Sequence, residues 1–194
     1  MKRILVFCGS NPGRLPEYIE QASALGRLLA QRGLGVVYGG ASIGLMGAVA
    51  NGALEAGGEV IGVIPRQLDE LEVGHRGLTE LHTVETMHER KAMMADLADG
   101  VIVLPGGPGT LDELFEMFTW SQLGLHHKPI GLLDVAGYWQ PLLAVLDLMV
   151  QERFLRAENR DTLIVDTDAT ALLDRLDQTV PNTRSPASPS PGRM

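Results

Sequence analysis

Six short, largely unbroken apolar runs punctuate the chain, at residues 4–8, 35–38, 60–64, 101–104, 129–133 and 163–165, and the more polar 81–85 is a further candidate for a short strand. Runs of this length, rich in Val and Ile and bounded by Gly, Pro or polar clusters, predict strands buried on both faces. The intervening segments mostly read as helices, at 15–32, from about Leu45 through Val49, Ala53 and Leu54, at 111–123, 138–153 and 169–176. A further helix to about residue 98 is predicted by Thr86 followed by Glu89, the reciprocal pair that satisfies the first free N–H groups of a helix. Residues 66–80 are polar and weakly periodic and read as a long loop or irregular crossover.

Strands that alternate with helices and lack an exposed polar face predict an α/β fold: a Rossmann-like, three-layer arrangement around a mainly parallel sheet. The 194 residues fit one catalytic domain over 1–180. From Pro181 the chain turns Pro/Ser-rich without apolar anchors, which predicts a disordered tail over 181–194. The net charge of −8 argues against nucleic-acid or anionic-membrane partners, since both require a clustered positive field. No apolar stretch approaches membrane-spanning length, and the single cysteine, Cys8, cannot form an internal disulfide, so a cytoplasmic setting is expected.

Candidate chemistry concentrates at three glycine-rich turns that follow strands. The first includes Gly9 and Ser10, the second includes Gly40, and the third is PGGPGT, Pro105 to Thr110. In a parallel sheet these exits share one edge, where open α/β folds bind ligands. PGGPGT is the sharpest, because Gly106, Gly107 and Gly109 permit close backbone approach, and the helix that follows offers free N–H groups to an anion. The loop lacks the Lys-Ser/Thr ending of a triphosphate-binding loop, and no G-x-G-x-x-G occurs, so a monophosphate fits best and no dinucleotide cofactor is expected.

Asp112, Glu113 and Glu116 lie in the first turns of that helix, where acids interact favourably with the helix dipole. They also repel a bound phosphate, and Glu113 lies off the apolar stripe of Leu111, Leu114, Phe115 and Phe118, so it is a candidate for chemistry. On the preceding helix, Met87, Arg90, Met94 and Leu97 share one face, which sets a guanidinium in an apolar stripe and calls for an anionic partner. Lys91 beside it reads equally well as a solvated charge. The five histidines show no ligand spacing, so no metal is expected. Leu114, Phe118, Leu142, Leu146 and Met149 suit either core or subunit interface.

MHERK (87–91), PGGPGTLDE (105–113) and TWSQLGLHHKPIGLL (119–133), with FCGSNPG and VYGGASIGLMG upstream, resemble the LOG family over roughly residues 3–155. The resemblance implies a Rossmann-like homodimer that hydrolyses the N-glycosidic bond of cytokinin riboside 5′-monophosphates and/or AMP, releasing free base and ribose 5-phosphate. It implies Arg90 and Glu113 as catalytic, and substrate contacts from Glu72, Lys91, Gly106, Gly107, Pro108, Gly109, Thr110, Leu111, Asp112 and Thr119. Pro108 stands where a larger residue is usual, and Asp112 where plant members commonly carry Glu. The lysine decarboxylase label often given to such chains requires a pyridoxal-binding lysine, and Lys2, Lys91 and Lys128 offer no recognisable setting for one. Two alternatives stand beside hydrolysis: an N-ribosyltransferase with Glu113 as nucleophile, and a non-catalytic nucleotide or cofactor carrier.

Overall fold

A computed structural model describes residues 1–70 and 74–179. Glu72 and the 181–194 tail lie outside the described residues. Seven strands, β1 (Arg3–Phe7), β2 (Gly35–Tyr38), β3 (Val60–Pro65), β4 (Glu80–Val84), β5 (Gly100–Val103), β6 (Ile130–Leu133) and β7 (Leu163–Asp166), form one sheet in the order β4-β3-β2-β1-β5-β6-β7. Every strand pairing is parallel, for example Leu5 with Val37 on one side and Val101 on the other.

Because successive strand residues face opposite sides, each central strand contributes to two cores. Ile4, Val6, Val36, Tyr38 and Ile102 pack with helices α1 (Pro16–Gln31), α2 (Gly44–Glu55) and α8 (Ala169–Thr179). Leu5, Phe7, Val37, Val101 and Val103 pack with α4 (Met87–Leu97), α5 (Pro108–Gln122) and α6 (Gln140–Gln151). Leu114, Phe118 and Leu146 are buried in this second core, with Leu142 and Met149 against it, so these side chains serve packing within the chain.

The predicted capping box is present: Thr86 Oγ1 accepts from Glu89 N, and the Glu89 carboxylate accepts from Thr86 N. The last helix runs three residues beyond its predicted end at 176, to Thr179, and α6 is two residues shorter at each end than predicted. Two further differences lie near the site. Residues 66–80 are not wholly irregular: they open with a short helix, α3 (Arg66–Glu70), and Glu80 already belongs to β4. Five residues are too few for apolar periodicity to register, and this stretch is tied down by side chains instead, with the Arg66 guanidinium on Glu85 and Val60 N donating to Thr79 Oγ1. Helix α5 begins at Pro108 rather than residue 111, because proline is tolerated in a first helical turn whose N–H groups lack intrahelical partners anyway. A four-residue helix, α7 (Ala157–Arg160), and a 3₁₀ turn (Val135–Gly137) complete the fold. Among the described residues no helix is long and apolar enough to cross a membrane.

The strand order places the site. From β1 the chain moves outward through β2, β3 and β4, then crosses back to set β5 on the other side of β1. The loops leaving β1 and β5 therefore diverge, and a crevice opens at their carboxyl ends.

Candidate active site

A cavity of about 620 Å³ fills that crevice. Its floor is the end of β1 and the turn beyond, Cys8 to Asn11; one side is the PGGPGT loop with the first turn of α5, and the other carries Gly39, Ile43, Met46, Ile64, Leu68 and Met87. The Gly9 N–H donates to Pro105 O at 3.0 Å, tying the two loops together. Helix α5 makes its first intrahelical bond from Leu111 N to Gly107 O. The N–H groups of Gly107, Gly109 and Thr110 are thus the ones a helix start leaves for an anion, Pro108 having none.

Arg90 and Glu113 meet in the cavity wall. Arg90 Nη1 lies 3.4 Å from Glu113 Oε1, and the two side chains are only 10% and 12% exposed. Two main-chain carbonyls aim the guanidinium: Nε donates to Val63 O within β3 (3.1 Å), and Nη2 to Gly39 O just past β2 (3.2 Å). Position 39 must carry no side chain, because a Cβ there would stand 1.8 Å from Arg90 Nη2.

Burial pushes the Glu113 carboxyl up to about 7; Arg90 opposes this, and Asp112 adds to it. At neutral pH the group can therefore hold or release a proton. Burial also pulls Arg90 below its ordinary value, with Glu113 opposing, and drives the Cys8 thiol up, so Cys8 is no thiolate nucleophile. The next residue of α4, Lys91, is 11% exposed and inserts Nζ between Glu116 Oε2 (3.0 Å) and Asp112 Oδ2 (3.2 Å). Its charge is matched by carboxylates of α5 instead of being solvated, so consecutive residues of α4 clamp α5 at three acidic positions.

A family model described as "possible lysine decarboxylase" matches residues 46–176. The cytokinin riboside 5′-monophosphate phosphoribohydrolase of Rhodococcoides fascians is 49% identical over 168 residues, covering 86% of this chain and 85% of that protein. The chain belongs to the LOG family. The rice (Oryza sativa subsp. japonica) protein of the same name is 47% identical over 93% of this chain and 74% of its own length, and one from Arabidopsis thaliana 44% over 96% and 88%. Among solved structures, the molybdenum cofactor binding protein of Rippkaea orientalis superposes with a TM-score of 0.70 at 20% identity, over 92% of this chain and 97% of that one. That likeness is one of fold.

Of the residues that sequence reasoning singled out in this LOG-family chain, Gly9, Ser10, Arg90, Gly106, Gly107, Pro108, Gly109, Thr110, Asp112 and Glu113 line the cavity together. Gly40, Lys91, Leu111 and Thr119 lie outside its lining. Gly40 serves the turn, with a left-handed φ of 78° and its carbonyl accepting from His75 N. Leu111 is half-buried against the second core, and Thr119 is exposed two turns further along α5. Within the second glycine-rich turn, 39–47, sequence reasoning singled out Gly40 where the cavity takes Gly39, and it missed Tyr18 and Tyr138. A glycine directly after a strand was the available signal for Gly39, whereas nothing local marks either tyrosine.

Proposed function

We propose that this cavity binds a nucleoside 5′-monophosphate, AMP or its N6-prenylated cytokinin forms, and hydrolyses the bond between base and ribose. The observation that carries this reading is the buried Arg90–Glu113 pair within the same cavity as a phosphate-type loop. The 44–49% identity to cytokinin riboside 5′-monophosphate phosphoribohydrolases over most of the chain supports the same conclusion.

In this reading the free N–H groups at the start of α5 and the Thr110 hydroxyl hold the phosphate, a handle whose binding energy aligns the ribose. As the C1′–N bond breaks, its electron pair leaves with the base and positive charge builds on the sugar. Ionised Glu113 stabilises that charge and takes a proton from the attacking water as its oxygen bonds to C1′; a proton returned to the base completes the balance. Arg90 stays protonated and positions Glu113 and the sugar. Because burial sets the Glu113 carboxyl near 7, such a base is partly ionised at neutral pH.

Incubation with AMP and, separately, with an N6-prenylated adenosine 5′-monophosphate tests this: equal amounts of free base and ribose 5-phosphate are expected from at least one, and both nucleotides intact after long incubation refute it. Labelled adenine appearing in nucleotide would instead mark a ribosyltransferase. A pyridoxal-dependent decarboxylation lacks support, since none of Lys2, Lys91 and Lys128 lines the cavity. We also propose that the chain works as a homodimer, supported by exposed Val145 and Leu148 one turn apart on α6 and Phe154, 88% exposed, beyond its end. Light scattering at micromolar concentration distinguishes dimer from monomer.

A further inference from the structure

Glycines 106 and 107 give the phosphate loop its close approach, and they also leave it conformationally free. Gly106 has no room for a side chain, since a Cβ would lie 2.1 Å from Thr110 Oγ1, while nothing lies within 4 Å of the space beside Gly107. A peptide between two glycines can turn over with little steric penalty. In a planar trans peptide the carbonyl of one residue and the N–H of the next point in opposite directions. Such a turn would exchange the Gly107 N–H for the Gly106 carbonyl oxygen on the anion side, replacing a donor with a repelling acceptor.

One side chain holds this peptide from outside the loop. Tyr138 Oη donates to Gly106 O at 2.5 Å. The tyrosine follows β6, and the turn that carries it is shaped deliberately. Ala136 adopts φ 52° and Gly137 φ 74°, both left-handed. Tyr138 N donates to Val135 O, and the buried Asp134 carboxylate accepts from Trp139 N at 2.8 Å and Gln140 Nε2 at 2.6 Å. The ring stands edge-on to Tyr18 of α1 and to Trp139, with centroids 5.9 and 5.0 Å away. A non-glycine residue in the left-handed region costs energy and persists only where its surroundings fix it.

We propose that Tyr138 is a positioning residue for the phosphate loop: its hydroxyl locks the Gly106–Gly107 peptide so that the Gly107 N–H faces the 5′-phosphate. The bond also polarises that peptide and strengthens the N–H as a donor. This rests on the reading of the loop as a 5′-phosphate site, and the test separates the two.

Binding of AMP and of adenosine, which lacks the phosphate, is compared for wild type, Tyr138→Phe and Tyr138→Leu, together with kcat and KM for AMP. The Phe variant removes only the hydroxyl. It is expected to weaken AMP roughly five- to tenfold, the scale of one lost hydrogen bond, with adenosine affinity unchanged and the loss appearing in KM rather than kcat. The Leu variant should lose a similar factor for AMP. If wild type binds AMP no better than adenosine, the phosphate-site reading itself fails. If wild type prefers AMP and Tyr138→Phe keeps that preference, the reading stands and the role of Tyr138 is overturned. It is equally overturned if only the Leu variant is impaired, because the ring packing and not the hydroxyl would then be what matters.

Discussion

Replacing Gly39 by alanine adds one carbon atom and no charge, yet it strikes the buried Arg90–Glu113 pair to which the proposed chemistry is assigned. The new Cβ would sit 1.8 Å from Arg90 Nη2 and 2.4 Å from Met46 Cε. The methionine end can swing away, but the guanidinium is gripped between Val63 O and Gly39 O. Ordinary contact requires roughly 3.5 Å, so Nη2 must retreat by about 1.7 Å. That breaks the bond to Gly39 O and carries Nη1 away from Glu113, which it now approaches to 3.4 Å. Each hydrogen bond to a charged group contributes about 1.5–3 kcal/mol, and an ångström-scale displacement of a positioning group costs about 10²-fold in rate. Gly39 is not among the glycines with positive φ, so alanine brings no backbone strain, and the variant should fold.

The expected result is a loss of about 10²-fold or more in kcat/KM for AMP, with a circular dichroism spectrum like that of wild type. A second signature is specific to the mechanism. Arg90 opposes the upward shift of Glu113, so its withdrawal moves that carboxyl above about 7 and shifts the pH–rate curve to the alkaline side. Higher pH should recover part of the activity. A folded Gly39→Ala enzyme within about threefold of wild type at pH 7, with an unmoved curve, would refute the role given to Arg90.

Glu113→Gln should abolish base release while keeping AMP binding, and it should also stabilise the fold at alkaline pH. The folded carboxyl titrates near 7 against an ordinary 4.5, so the folded state holds the proton more tightly, and the associated stability is present below 4.5 and lost as pH rises through 7. Glutamine does not titrate, so urea denaturation should show a gain of at most about 3 kcal/mol at pH 8 that disappears toward pH 4.5; an equal effect at both pH values contradicts the burial argument. For wild type, kcat/KM should rise to a plateau with a midpoint near 7, and a flat profile between pH 5 and 8 removes Glu113 as the ionised base. Lys91 lowers the Glu113 titration and Glu116 raises it, so Lys91→Met should move that midpoint up and Glu116→Gln down; shifts of the same sign would contradict this arrangement.

The sheet was legible because buried parallel strands are unbroken apolar runs, and all seven predicted strands fall within a residue or so of those observed. The half-exposed edge strand β4 and the short helices α3 and α7 carried little or no such signal. Within the site, Arg90 was conspicuous as a charge in an apolar stripe, and its meeting with Glu113 agrees with that logic. Its other partners could not be read, because they are carbonyls 27 and 51 residues away in sequence, and a carbonyl carries no residue identity. Lys91 remained ambiguous for a related reason: only the docking of α4 on α5 shows that its charge faces Asp112 and Glu116 rather than water. Tyr138 gave no local sign at all, since its bond to Gly106 spans 32 residues and joins the exits of two neighbouring strands.

Holding Arg90 by main-chain oxygens has a consequence for how such a protein can change over time. The carbonyls of Gly39 and Val63 are present whatever side chains β2 and β3 carry, provided position 39 stays bare. On the proposed reading of the cavity, the exposed Ile43 and Leu68 on the same wall can therefore vary in size, reshaping the space offered to a base, while the guanidinium stays where it is. Substrate range and bond cleavage then become separately adjustable, and an engineer seeking a new base preference has a wall to rebuild that is not wired to the reacting groups.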